Sequence, residues 1–255
     1  MNIIDSHSHP YVEAFAEDRD AVLQRARAAG VSRIYMPAID STTHEAMLEL
    51  EKQYPDFCIA MMGLHPCSVK DSYEDELGII YQYLCKRKFA AIGEIGLDYY
   101  WDKSTVGIQK KAFVRQMEWA LEFDLPIVIH SRESTMDCVA MVKPFSDKGL
   151  KGIFHCFGGS ADEAKAIADL GFLLGIGGVF TFRKANMPEN LKDIDIQYMV
   201  LETDAPYLAP VPFRGKRNES AYLPYILHAI SEAKGIAMEE IAQVTSANAE
   251  KLFKI

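Results

Sequence analysis

The hydrophobic residues of this chain follow two alternating patterns along its whole length. Runs of consecutive apolar residues begin near positions 3, 33, 58, 90, 126, 152, 172 and 198. Such runs are typical of strands buried on both faces of a parallel sheet. Between them, apolar residues recur with a helical period, as at Ile108, Ala112, Phe113 and Met117. This spacing predicts amphipathic helices between the strands.

Local signals place some of these helices. Ser160 followed by Glu163 has the spacing of a capping box and predicts a helix that begins there. The segment 187–194 is short and contains a proline, so we expect a shortened seventh helix. Two further helices are predicted over residues 219–234 and 238–253.

Eight strands alternating with helices predict one (β/α)8 TIM barrel that forms a single domain over residues 1–255. The alternative is an open doubly wound sheet. The first strand is not followed by the G-x-G-x-x-G pattern of many such sheets, which favours the barrel. A closed barrel has no free sheet edge, and this fits a monomer.

The amino-acid composition limits the type of protein that this chain can be. With 49% hydrophobic residues, the 255-residue chain suits a globular enzyme. No apolar stretch approaches the ~20 residues of a membrane span, and no export signal is visible. The five cysteines are odd in number and lack C-x-x-C spacing, so we expect reduced thiols and a cytoplasmic location. A net charge of −9 disfavours a broad electrostatic nucleic-acid binder but not a local phosphate site.

Histidines and carboxylates recur where the predicted strands end. The candidates are His7, His9, Glu94, His130, His155 and Asp204. In a barrel, the carboxyl ends of the strands meet at one mouth, so these side chains would converge. Four imidazoles and two carboxylates in one place predict a site for divalent metal ions.

Each candidate also has a purely structural interpretation. The histidines could be buried and hydrogen-bonded, and Asp204 could be a turn residue before Pro206. Asp5 could brace an imidazole or cap a loop, and Asp98 could cap a loop or belong to the site. Glu202, two residues before Asp204, is a weaker candidate.

His65 ends the third predicted strand in the segment Gly63-Leu64-His65-Pro66. It could be a further metal ligand. We expect instead that it contacts the substrate or its leaving group, because four imidazoles already suffice for the metal.

A basic loop and an aromatic segment could contact a substrate. The loop contains Arg214, Lys216 and Arg217, and Arg132 follows the fifth strand. These cations could hold phosphate groups, with Arg217 bidentate, or the loop could simply be solvated. Tyr99, Tyr100 and Trp101 could stack on a base, or could only pack.

Seven segments in order resemble the TatD family of metal-dependent deoxyribonucleases, within the wider amidohydrolase-like group. They are residues 5–9, 63–66, 93–99, 130–132, 155–159, 202–208 and 214–219. The resemblance covers nearly the whole chain, and Gly158-Gly159 in place of a more usual serine–glycine pair is a small departure. It implies a nuclease that trims DNA, often single-stranded and from the 3′ end, with Mg²⁺ or similar ions.

The resemblance also implies roles for individual residues. His7, His9, Glu94 and Asp204 would hold one ion. Glu94 would bridge to a second ion held by His130 and His155. Two such ions activate water and neutralise phosphate oxygens. Asp204 would orient or deprotonate the water, and His65 would contact the phosphate or leaving oxygen. Four imidazoles make Zn²⁺ or Mn²⁺ plausible beside Mg²⁺.

Two other functions remain open on the sequence alone. Related barrels are amidases, deacylases or lactonases, and the same centre could cleave the ester of an aminoacyl-tRNA. Many such barrels bridge their metals with a carbamylated lysine, whereas this chain offers Glu94. The second alternative is a binding protein without turnover, which the complete ligand set including Asp204 disfavours.

Overall fold

The computed structural model of the chain describes residues 1–254. Its strands are β1 (Ile3–Asp5), β2 (Val31–Met36), β3 (Cys58–Ala60), β4 (Ile92–Asp98), β5 (Ile127–Arg132), β6 (Gly152–Phe154), β7 (Leu173–Ile176) and β8 (Met199–Leu201). Its helices are α1 (Arg19–Ala28), α2 (Ser41–Gln53), α3 (Tyr73–Lys86), α4 (Val106–Glu122), α5 (Thr135–Ser146), α6 (Ala161–Asp169), α7 (Met187–Asn190), α8 (Leu223–Lys234) and α9 (Met238–Phe253).

The strands pair in chain order, and every pair is parallel. β1 to β3 form one sheet and β4 to β8 form another. A single bridge between Met62 and Ile92 joins the two sheets on one side. On the other side the Ser6 N–H donates to the Leu201 carbonyl at 2.9 Å. This is the TIM-barrel-like (β/α)8 fold predicted from the sequence. The two sheets meet at two seams, between β3 and β4 and between β8 and β1, and within residues 1–254 the pairing across these seams is limited to isolated contacts.

The inside of the barrel is a packed apolar layer. Most strands or their flanking residues contribute one side chain to it, namely Ile4, Tyr35, Met61, Ala91, Val128, Ile153 and Val200. Ala249 and Phe253 of α9 complete the cluster, with the Phe253 ring stacked on Tyr35 at 4.0 Å between centroids. The interior is therefore a core rather than a channel, as in other barrels of this kind.

Helix α9 lies at the amino-terminal ends of the strands. The Ser246 hydroxyl donates to the Asn2 carbonyl just before β1, at 3.1 Å. The Asn248 amide donates to the Met199 carbonyl at the start of β8, at 2.8 Å. One mouth of the barrel is thus covered by a helix, and the opposite mouth, where the strands end, is left for a site.

The local predictions hold with small adjustments. The Ser160–Glu163 capping box is formed at the start of α6, and α7 spans only four residues. A 3-10 turn over residues 220–222 precedes α8, which therefore begins four residues later than predicted. All five cysteines are free. Within residues 1–254, no helix combines the length and apolar character needed to cross a bilayer.

Candidate metal centre and active site

The polar residues that end the strands meet at the open mouth. Glu94 lies in β4 and His130 in β5, while His155 follows β6 directly. His7 and His9 follow β1, and Asp204 lies three residues beyond β8. Asp204 is held across the barrel seam, because its N–H donates to the His7 carbonyl at 2.9 Å.

Glu94 is at the centre of this group, and one of its oxygens faces the β1 residues. Its Oε2 lies 3.1 Å from His7 Nε2 and 3.7 Å from His9 Nε2. Asp204 Oδ1 approaches the same two nitrogens, at 3.7 Å from His7 and 3.6 Å from His9. Two imidazoles and two carboxylates therefore face a common point on this side of Glu94.

The other oxygen of Glu94 faces a second set of imidazoles. Its Oε1 lies 2.7 Å from His155 Nε2, 2.9 Å from His130 Nδ1 and 3.3 Å from His65 Nε2. One carboxylate thus separates two groups of imidazoles, one group on each oxygen. A carboxylate that bridges two ions requires this geometry.

Glu94 is buried and is kept ionised by its neighbours. Its exposed fraction is only 2%. Burial alone raises the pKa of a carboxyl group, but the surrounding imidazoles, His155 and His65 foremost, bring the pKa of Glu94 well below its usual value. The converse holds for His155: burial lowers its pKa, but Glu94 and Glu202 raise it well above the ordinary value. The centre therefore attracts positive charge.

The hydrogen bonds around His9 identify which of its nitrogens is free to bind a metal. The Tyr11 hydroxyl donates to the Pro37 carbonyl at 2.5 Å, so its oxygen can only accept from His9 Nδ1, which lies 2.9 Å away. His9 Nδ1 therefore carries the proton, and the lone pair of Nε2 faces the cluster. Neutral imidazole with this tautomer is a metal ligand.

His130 has the same arrangement with its nitrogens exchanged. Its Nε2 lies 2.8 Å from Asp98 Oδ2, and Asp98 is a carboxylate that can only accept. Its Nδ1 lies 2.9 Å from Glu94 Oε1, and although burial alone lowers the pKa of His130, the two carboxylates raise it. With an ion bound to Glu94, the proton would stay on Nε2 against Asp98, and the lone pair of Nδ1 would be available to the ion. Although burial alone raises the pKa of Asp98, the hydrogen bond from His130 keeps this pKa below the usual value. This carboxylate–histidine pair is the usual support of a metal-binding imidazole.

His65 has the opposite tautomer. Its Nδ1 accepts a hydrogen bond from the Cys67 N–H at 3.0 Å, so in the neutral ring the proton is on Nε2. That proton faces Glu94 Oε1. Burial alone lowers the pKa of His65, but Glu94 and the Cys67 hydrogen bond raise it above the ordinary value. His65 therefore presents a hydrogen-bond donor to the site, where His9 and His130 present lone pairs.

Glu202 is the carboxylate behind His155. It is fully buried, accepts the Cys156 N–H at 2.6 Å, and lies 3.5 Å from His155 Nδ1. A Cβ on Gly175 would fall 2.1 Å from Glu202 Oε2, so a larger residue there would displace this carboxylate. Glu202 was the weaker candidate in the sequence, and the structure places its carboxylate next to His155 Nδ1, at ion-pair distance but without a hydrogen bond.

The donor set fits divalent metal ions. A tetrahedral ion with bonds of about 2.0–2.1 Å separates its ligand atoms by roughly 3.3 Å. His7 Nε2 lies 3.2 Å from His9 Nε2 and 3.1 Å from Glu94 Oε2. Three sets have all their ligand atoms within 4.8 Å of one another, namely His7, His9 and Glu94; His65, Glu94 and His130; and His7, His155 and Asp204.

Asp5 does not brace an imidazole, so that interpretation is wrong. Its carboxylate accepts the Thr203 N–H at 3.0 Å, the Thr203 hydroxyl at 2.7 Å and the Ser220 hydroxyl at 2.6 Å. The Asp5 carboxylate instead ties β1 to the segment that carries Asp204. The sequence could not show this, because Thr203 and Ser220 lie about two hundred residues from Asp5.

The basic loop differs in part from the prediction. Arg217 is not a free phosphate clamp, because its two terminal nitrogens donate to the two oxygens of Asp18 at 2.8 and 2.7 Å. Arg214 packs over the Phe182 ring at 3.8 Å. Lys216 is exposed. Arg132 packs over the Tyr100 ring at 3.8 Å.

Comparison with known proteins gives one consistent relationship. A family model described as TatD related DNase matches residues 4–254. The chain is 41% identical to the uncharacterized metal-dependent hydrolase YabD of Bacillus subtilis, covering 99% of both chains. It is 32% identical to the 3'-5' ssDNA/RNA exonuclease TatD of Pantoea ananatis, covering 94% of both. The crystal structure of YJJV, a TatD homolog from Escherichia coli, superposes with a TM-score of 0.93 at 30% identity and covers 99% of this chain and 98% of its own.

Proposed function

This chain belongs to the TatD related DNase family of metal-dependent hydrolases, and on that basis we propose that it cleaves the phosphodiester bonds of DNA. We propose single strands as the substrate and exonucleolytic cleavage as the mode, which agrees with the name of the Pantoea ananatis relative. The observation that carries the proposal is Glu94, with His7 and His9 on one oxygen and His130 and His155 on the other.

The residues divide into two ligand groups. His7, His9, Glu94 and Asp204 would hold one divalent ion. Glu94, His130 and His155 would hold a second ion, of Mg²⁺, Zn²⁺ or Mn²⁺. Such ions would lower the pKa of water and neutralise the charge that develops on phosphate oxygens. The remaining roles, orienting the attacking water and protonating the leaving oxygen, belong to side chains of the protein.

Asp204 orients the attacking water. Burial alone raises the pKa of this carboxyl, but His9, His155 and His7 lower it below the usual value, so the group is ionised and accepts a hydrogen bond. The Asp204 side chain is 15% exposed, so water can reach it from the mouth of the barrel. Asp204 therefore holds a water proton while the oxygen attacks phosphorus.

His65 acts on the leaving side. Its Nε2 proton faces the site because Nδ1 accepts the Cys67 N–H. A donor in that position can hydrogen-bond a phosphate oxygen or give its proton to the departing sugar oxygen. Arg132, Arg214 and Lys216 would provide positive charge for neighbouring phosphates.

The test compares substrates and one matched pair of variants. Wild type is incubated with end-labelled single-stranded DNA and Mg²⁺ or Mn²⁺, and we expect release of nucleotides. The Glu94→Gln variant should release none, because glutamine offers one neutral oxygen where two ions need a shared carboxylate. The control is Glu118→Gln, an exposed glutamate of α4 paired with Arg115, which should retain full activity.

The same assay separates the rival functions. Acylated tRNA and N-acyl amino acids are included as substrates. Cleavage of these with no release of nucleotides would replace the nuclease proposal with a deacylase or amidase. Binding of DNA with no turnover of any substrate would indicate a binding protein. Within residues 1–254, the basic groups within ion-pair distance of Glu94 are all histidines, which distinguishes this centre from one bridged by a carbamylated lysine.

A further inference from the structure

Two large aromatic side chains are exposed beside the candidate metal centre. Tyr100 is 49% exposed and Trp101 is 68% exposed, and both follow β4, the strand that carries Glu94. Tryptophan is highly buried on average in folded proteins. Exposed aromatic surface at the mouth of a barrel, where substrates bind, indicates a contact with something outside the chain.

The aromatic pair is fixed to the centre by one carboxylate. Asp98 Oδ1 accepts the N–H groups of Tyr100 and Trp101, each at 2.9 Å. The other oxygen, Oδ2, holds His130 Nε2 at 2.8 Å. The residue that orients a candidate metal ligand thus also orients the aromatic segment, so the two are in a fixed relation.

Arg132 completes this surface. It is the register partner of Asp98 across β4 and β5, two residues after His130. Its guanidinium lies 3.8 Å from the Tyr100 centroid and 5.4 Å from the Trp101 centroid. The two rings meet edge to face at 4.9 Å and 88°. A cation and two ring faces therefore form one continuous patch, and no hydrogen bond from this guanidinium occurs within the described part of the chain.

We infer that Tyr100, Trp101 and Arg132 form a stacking subsite for the nucleobase next to the phosphate that is cleaved. The inference rests on the proposed function. A base has a π-face whatever its identity, so such a subsite binds many sequences. A base inside a duplex is already stacked on both faces and cannot lie on the patch. The subsite therefore selects unpaired strands, while Arg132 matches the negative charge of the adjacent backbone.

The kinetic test separates base contacts from phosphate contacts. The substrates are an oligothymidylate and a strand of equal length whose terminal residues are abasic. For wild type we expect KM to be about 10-fold to 100-fold lower on the strand with bases. Trp101→Ala should erase this difference, and Trp101→Phe should keep most of it. If Trp101→Ala raises KM equally on both strands, Trp101 is only structural and the inference fails.

Fluorescence provides a test that does not depend on turnover. The chain contains two tryptophans, Trp101 and the buried Trp119 of α4, which is 7% exposed. Trp119→Phe leaves only the exposed indole, and Trp101→Phe leaves only the buried one. A phosphorothioate-linked oligothymidylate, which resists cleavage, should quench the emission of Trp119→Phe and leave that of Trp101→Phe unchanged.

The outcomes of the two tests are distinct. Absence of quenching in Trp119→Phe, or equal quenching by the abasic strand, would overturn the stacking subsite. If wild type cleaves neither strand, the proposed nuclease function fails, and the fluorescence titration still decides whether the patch binds bases. If wild type cleaves both strands with equal KM, the nuclease function stands and the subsite does not.

Discussion

Replacing Asp98 with asparagine tests whether this one carboxylate supports the proposed metal centre. Both oxygens of Asp98 accept hydrogen bonds, Oδ2 from His130 at 2.8 Å and Oδ1 from the N–H groups of Tyr100 and Trp101 at 2.9 Å. Asparagine has the same shape but only one acceptor oxygen, and its amide donates. In Asp98→Asn, the amide NH₂ therefore points either at His130 Nε2–H or at the N–H groups of Tyr100 and Trp101, so that two hydrogen-bond donors face each other.

The expected loss of metal affinity follows from the hydrogen bond that asparagine cannot accept. Asp98 is completely buried, so water cannot replace the missing acceptor. A hydrogen bond to a charged group contributes about 1.5–3 kcal/mol. Loss of a carboxylate behind a metal-binding histidine costs about 10-fold to 100-fold in metal affinity or activity, which is the same range of free energy. We therefore expect the ion next to His130 to bind about 10-fold to 100-fold more weakly.

Calorimetric titration of the metal-free protein with Mn²⁺ or Zn²⁺ measures this affinity. The matched control is Asp102→Asn, because Asp102 also accepts a backbone N–H, from Ser104 at 3.0 Å, and its ion-pair partner is Lys70 rather than an imidazole. Wild-type affinity for both ions in Asp98→Asn would refute the role given to His130. An equal loss in Asp102→Asn would show that loosening of the loop, rather than loss of the brace, is responsible.

Two further substitutions test other parts of the account. In the proposed mechanism His65 supplies a proton rather than a lone pair, so His65→Gln should keep the metal content of wild type and lower kcat by about 10²-fold to 10⁴-fold. Loss of an ion, measured by elemental analysis, would contradict this. His44→Leu should stabilise the fold by about 1–3 kcal/mol, because both ring nitrogens of the buried His44 lack partners in residues 1–254. Burial lowers the pKa of His44, so as pH falls through about 6.5 the unfolded chain takes up a proton that the folded chain does not. The stability gained in His44→Leu, measured by thermal unfolding, should therefore grow from pH 7 to pH 5. His228→Leu removes an exposed imidazole instead and should not stabilise the fold at pH 7.

The sequence was informative about the fold and the centre for one physical reason. Parallel strands bring their carboxyl ends together, so His7, Glu94, His130 and His155 could be placed at one mouth from their positions after apolar runs alone. The alternation of strands and helices fixed the class of fold in the same way. The pairing that joins the two sheets, as between Met62 and Ile92, could not be predicted. It depends on how the barrel closes and leaves no local pattern in the sequence.

What surrounds the ligands was less predictable, because it depends on contacts between distant segments. Arg217 looked free in the sequence, yet its partner Asp18 lies 199 residues away. Glu202 could be assigned to His155 only when β6 and β8 were placed beside β7. Tyr11, which fixes the tautomer of His9, was missed. The sequence did contain a signal for it. Tyr11 lies two residues after His9, and residues two apart on an extended segment point to the same side.

Elemental analysis of purified protein, after equilibration with Mn²⁺ or Zn²⁺ and removal of free metal, tests the central claim most directly. If Glu94 bridges the two groups of imidazoles, wild type should contain about two ions per chain and Glu94→Gln at most one. A wild-type protein that holds one ion or none, or a Glu94→Gln variant that still holds two, would contradict the account.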